Sequence, residues 1–203
     1  MSSNLISIVS DILHHPGKVF PDVLLIVLLA TAGLILLHLV VALIGSKPTR
    51  PRRRWNWWER LVYLGALVSV ATLGFTAFYP VLTLGHMRHW WLFAHMFGAG
   101  AMVAVLPLIA ITWAGPNRFE VRAESDEEET YAPRFFWLTK LTFWLFLASG
   151  LIVALTMMLS MLPVFGTEGQ HALLDIHRYA GLMAVVTLVL HLYGVLLQRA
   201  RIR

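Results

Sequence analysis

Five long apolar stretches separated by short polar segments organise this chain: Val23 to Ile44, Leu61 to Leu84, Trp90 to Ala114, Phe135 to Phe165 and Ala172 to Leu197. At about 1.5 Å rise per residue, each is long enough to cross roughly 30 Å of hydrocarbon as an α-helix. The pattern predicts an all-α integral membrane protein, a bundle of five transmembrane helices. Ahead of it, Met1 to Asp22 interleaves Leu5, Ile6, Ile8, Val9, Ile12 and Leu13 with Ser and Asp, as expected of a short amphipathic helix on the outer membrane surface. His14 and His15 precede the turn signal Pro16-Gly17 and are expected in solvent. The predicted organisation is a surface segment over 1–22 and one transmembrane domain over 23–203.

Composition supports this picture, with 58% of the 203 residues hydrophobic and only 13% charged. Lys47, Arg50, Arg52, Arg53, Arg54, Arg60, Arg118, Arg122, Arg134, Lys140, Arg199, Arg201 and Arg203 fall on one side of the predicted spans, and only Lys18, Arg88 and Arg178 on the other. The excess marks the cytoplasmic side. The N-terminus is expected outside, the C-terminus in the cytoplasm, and the location a bacterial cytoplasmic membrane. These basic residues flank apolar spans instead of lining one groove, so anionic lipid accounts for the formal charge of +5 better than nucleic acid. The first span lacks a basic stretch before it and a small-residue cleavage pattern after it, so it is expected to stay as an anchor. The acidic run Glu124, Asp126, Glu127, Glu128 and Glu129 is expected in a solvated loop, and Trp55, Trp57 and Trp58 at the interface. Pro80, Pro107 and Pro163 are positions where helices kink or end.

The chain has no cysteine, which excludes iron–sulfur clusters, disulfides and covalently attached haem in this polypeptide. Any redox centre must therefore be held by His or Met. His177 and His191 lie fourteen residues apart on the fifth span. That spacing sets them roughly 21 Å apart along a helix and within about 40° of one face. Intramembrane histidines are costly to desolvate and point to function, and a pair so placed suits two stacked haem b groups, one per leaflet. By depth, His95 on the third span matches His177, and His38 on the first matches His191. The expected iron ligands are thus His95 with His177 for the outer haem and His38 with His191 for the inner. Gly98, Gly181 and Gly194 stand near the ligands, where a small residue lets a flat macrocycle lie against the helix, although glycine also serves plain helix packing. Arg178 and Arg88 are expected near the outer propionates, and Arg54, Arg60 or Arg199 near the inner ones. His86, His89 and His171 fall at or beyond the outer boundary and are expected on the surface. Zinc is the weaker alternative, because no compact set of three ligands is evident.

The segment DIHRYAGLMAVVTLVLHLYG, from Asp175 to Gly194, resembles the final core helix of the di-haem cytochrome b subunits of respiratory formate dehydrogenases, nickel–iron hydrogenases and thiosulfate reductases. LFAHMFGAGAMV, with His95, resembles that family's second core helix, and KLTFWLFLASGLIVAL its third. The likeness runs from about Trp55 to the C-terminus. It implies a four-helix di-haem core with an additional N-terminal helix. ERLVYLGALVSVATLGFTAFYP resembles the first core helix but departs from it: where the family carries a histidine near the start, this chain has Trp57, Trp58 and Glu59. His38 is the expected substitute.

The resemblance implies an electron-transfer subunit between a membrane quinone and an iron–sulfur or multihaem partner on the outer face, with substrate chemistry in another polypeptide. Asn56, Glu59 and Arg60 are positional candidates for contact with quinone, with ordinary interfacial residues as the equal alternative. Three other classes remain open on sequence: a stand-alone transmembrane ferric or ascorbate reductase, an anchor of the succinate dehydrogenase type, and a haem-free helical transporter.

Overall fold

The computed structural model describes residues 16–44, 56–115, 117 and 136–199. Within them the chain is all-helical: α1 (Pro16–Ile44), α2 (Trp57–Leu84), α3 (Trp90–Trp113), α4 (Phe136–Ser160) and α5 (Gly166–Arg199). All five are long and apolar enough to cross a membrane, and the protein is a multi-pass helical bundle. The expected surface helix up to His15, the Arg-rich linker with Arg54 and the acidic loop lie outside the described residues.

Two boundaries differ from the sequence pattern. Residues 16–22, expected on the membrane surface, form the first turns of α1 instead. Proline suits a first helical turn because its missing N–H has no partner there anyway. These turns have somewhere to pack. Phe20 and Leu24 are buried against Leu182, the Phe20 and Tyr179 rings meet edge-on at 5.3 Å, and the Tyr179 hydroxyl donates to the Pro16 carbonyl at 3.0 Å. Gly17, expected in a turn, is a contact residue: a Cβ there would stand 2.8 Å from both the Asp175 carboxylate and the Arg178 guanidinium.

At the other boundary, α4 stops at Ser160 although the apolar run continues to Phe165. Residues 161–165 form a turn, and α5 starts at Gly166, whose φ of 60° lies in the left-handed region that glycine adopts without strain. The Gln170 side chain donates to the carbonyls of Ser160 at 3.1 Å and Leu162 at 3.4 Å. That replaces the intrahelical partners the end of α4 lacks.

Helix α2 opens with a reciprocal capping box. The Asn56 side chain accepts from the Glu59 backbone and the Glu59 carboxylate from the Asn56 backbone, both at 2.8 Å. Two of the residues considered for quinone thus hold a helix start. Pro80 lies inside α2, fully buried, and Pro107 inside α3.

The helices pack as two hairpins, α2 with α3 and α4 with α5, touching more lightly through α3·α4 and α2·α5, while α1 lies outside this ring against α5 and α2. The ring has two diagonals. Among the described residues, no Cα of α3 comes within 8 Å of α5, and none of α2 within 8 Å of α4. One half of the ring is filled by an apolar cluster of Val62, Ala66, Val70, Met102, Ile109, Phe143, Phe146, Ala184 and Leu188. Among the described residues the buried polar side chains are Ser and Thr, and several return their proton to their own helix, as Ser149 does to Leu145 and Thr187 to Met183, both at 2.7 Å. In lipid such self-pairing removes an otherwise costly unsatisfied hydroxyl.

Candidate functional site

Across the diagonal that no backbone bridges, two imidazoles meet. The rings of His95 on α3 and His177 on α5 stand with centroids 6.4 Å apart and planes at 71°. An imidazole nitrogen lies about 2 Å from a metal it ligates and the ring centroid roughly 1 Å further back, so rings ligating one ion from opposite sides stand about 6 Å apart. The observed spacing matches that requirement.

Both rings are held from behind. Nδ1 of His95 lies 3.2 Å from Thr76 Oγ1 on α2, and Nδ1 of His177 lies 3.1 Å from Thr156 Oγ1 on α4. Each hydroxyl already donates along its own helix, Thr76 to Thr72 at 2.7 Å and Thr156 to Ile152 at 2.9 Å. A hydroxyl has one proton, so toward the histidine it can only accept, and Nδ1 must carry the hydrogen. In the neutral ring the lone pair then sits on Nε2, the atom a metal takes. Each hairpin thus supplies one threonine and one histidine in ligating tautomer.

His191 repeats the arrangement with a variation. Its Nδ1 donates to the Thr139 carbonyl at 3.0 Å, with Thr142 Oγ1 at 3.5 Å, and its ring lies 6.1 Å from Phe143. Thr142 and Thr156 are fourteen residues apart on α4, as His191 and His177 are on the antiparallel α5, so the two Thr–His units share one register. That shared spacing is the signal by which the sequence could have revealed the threonines.

At the expected inner pair, each histidine is likewise bonded through Nδ1. Nδ1 of His38 lies 2.6 Å from the Tyr193 hydroxyl, the rings crossing edge-on at 5.6 Å. Tyr193 follows His191 by two residues, which is about 200° around α5. The Nδ1 bonds seen for His38 and His191 thus go to different partners, the Tyr193 hydroxyl on α5 and the Thr139 carbonyl on α4. On the α2/α3 hairpin, the positions fourteen residues from Thr76 and His95 hold Val62 and Ile109, both buried in the apolar cluster.

The glycines divide by environment. A Cβ on Gly181 would meet nothing within 4 Å, leaving open space one turn after His177. Gly98 and Gly194 sit at close approaches between helices: a Cβ would come 3.2 Å from Leu73 and 3.1 Å from Thr139, respectively. Arg178 pairs with Asp175 at 3.1 Å beside the start of α1, and the Arg199 side chain lies outside the described set.

Among the described residues no group of three or more His, Asp or Glu side chains could hold a metal ion. Two opposed neutral imidazoles fit a group that brings its own equatorial ligands, as a porphyrin does. No family model, curated protein or solved structure matches this chain.

Proposed function

We propose that the protein is a membrane-embedded di-haem cytochrome b subunit that carries electrons between a partner redox subunit and the quinone pool. The observation that carries the reading is the His95–His177 pair, spaced at 6.4 Å across helices whose backbones do not touch. A structural hydrogen bond between histidines would join the rings directly; here each Nδ1 is bonded backward to a threonine, which leaves the Nε2 lone pair for a ligand.

His95 and His177 would hold the outer haem. His191, with His38 as its second ligand, would hold the inner one, about 21 Å further along α5. Held by two imidazoles, a haem would supply single-electron transfer there and would offer no open position to substrate. The chain's own residues fix the imidazole tautomers, exclude water with the apolar helices, and present one redox site to each leaflet. Lacking cysteine, the chain binds no iron–sulfur cluster, so substrate chemistry falls to a partner subunit docked on the outer face. The distribution of Lys and Arg supports a bacterial cytoplasmic membrane, with the N-terminus outside and the C-terminus inside.

A reduced-minus-oxidised spectrum with haem quantification on the purified complex tests the reading. A b-type spectrum with about two haems per chain is expected. A complex without b-type absorption overturns the proposal and leaves a haem-free transporter. Mass spectrometry of co-purifying subunits checks the partner, and a lone active protein would favour a stand-alone reductase.

A further inference from the structure

Thr76 and Thr156 sit behind the histidines in positions that simple packing does not require. Each lies on the neighbouring helix of its own hairpin, is buried, and aims Oγ1 at Nδ1 while its proton is committed to carbonyls one turn back. Thr187 on α5 provides the comparison: it is equally buried and bonds its own helix at 2.7 Å and 3.1 Å, with no histidine bond. The same side chain thus occurs in this fold with and without an imidazole to orient.

From this geometry, and resting on the cytochrome reading above, we infer that Thr76 and Thr156 are positioning residues that lock His95 and His177 as Nε2 ligands and set their strength as electron donors. A hydroxyl accepting from Nδ1–H polarises the ring and makes Nε2 more basic. A stronger donor favours ferric iron over ferrous. Loss of the acceptor therefore weakens iron binding and raises the midpoint potential of that haem. The inner site differs in degree: His191 bonds chiefly to the Thr139 backbone carbonyl at 3.0 Å, which no side-chain change removes, whereas His95 and His177 also interact with a backbone carbonyl, of Leu73 and Val153, but have a threonine hydroxyl as hydrogen-bond partner, at 3.2 Å and 3.1 Å.

The test uses the full chain in its complex, with Thr156→Val, Thr156→Ser, Thr76→Val, Thr142→Val and Thr187→Val. Redox titration and haem-to-protein ratio are the readouts. Thr156→Val and Thr76→Val are expected to raise the potential of one haem and weaken its retention by about 10–100-fold, the usual cost of losing such a supporting partner. Thr156→Ser should restore both values, since it keeps the hydroxyl. Thr142→Val should move the other haem less, and Thr187→Val neither. If both Thr156→Val and Thr76→Val bind haem at the native potential, or Thr187→Val shifts it as much, the inference is overturned while the cytochrome reading stands. Absence of haem from the wild-type complex overturns the reading itself. Should Thr156→Val fail to accumulate, Thr76→Val carries the same test from the other hairpin.

Discussion

The α4/α5 hairpin carries two Thr–His units at one register, whereas α2/α3 carries one and fills the equivalent place with Val62 and Ile109. At one end of the bundle the hairpins therefore answer each other with an imidazole apiece. At the other, His191 is bonded backward to α4 as His177 is, but the equivalent positions of α2/α3 hold Val62 and Ile109 in an apolar cluster. The difference teaches that a symmetric-looking histidine pair on one helix does not imply symmetric sites. What completes each site depends on the opposing hairpin, and at the His191 end the histidine expected to complete it, His38, lies on α1, outside the ring.

The largest expected effect comes from breaking the complete end. His177→Ala or His95→Ala should remove one of the haems, halving the haem-to-protein ratio and leaving the other spectrum intact. Full haem content in both variants would dismantle the outer pair.

Next, His38→Ala should remove the second haem alone. If both haems survive, His38 is not an iron ligand and its role is the hydrogen bond to Tyr193. The comparison is sharpened by giving α2/α3 the pair it lacks. Val62→Thr with Ile109→His, built into the His38→Ala chain, should restore the lost haem, because it copies Thr76 and His95 at the same spacing on the same helices. Unchanged haem content in that triple variant would show that the apolar cluster leaves no room there.

Smaller effects separate the glycines. Gly194→Ala should destabilise the bundle by about 1–3 kcal/mol through overpacking against Thr139, visible as a lowered unfolding midpoint in detergent. Gly181→Ala should leave the haem-free fold within about 0.5 kcal/mol, since nothing lies near the added methyl, while reducing haem retention. Equal destabilisation by both would remove the distinction between packing and open space. The smallest change is Arg178→Gln. Its pair with Asp175 is partly solvated and spans one helical turn, so the expected loss is within ~1 kcal/mol by the same unfolding assay.

Much of the architecture was legible in the chain itself. The five apolar runs predict five helices because lipid forces the backbone to satisfy itself, and only length and apolarity are then needed. The ends were legible less well. The run to Phe165 is uniformly apolar, yet Met161 and Val164 stand 67% and 73% exposed in a turn, a distinction hydropathy does not encode. Pro16-Gly17 reads as a turn until Tyr179, Asp175 and Arg178 on α5 are there to receive it.

For the candidate site, residue spacing alone determined the depths of His95, His177 and His191, since helical rise is fixed by backbone geometry. The phase around each helix was decided only by packing. A helix can turn about its axis without altering any depth, so the bond between His38 and Tyr193, the threonines behind His95 and His177, and the apolar filling opposite His191 arise from which helix faces meet. Those faces are chosen by long-range contacts between segments far apart in the chain, which no local pattern records.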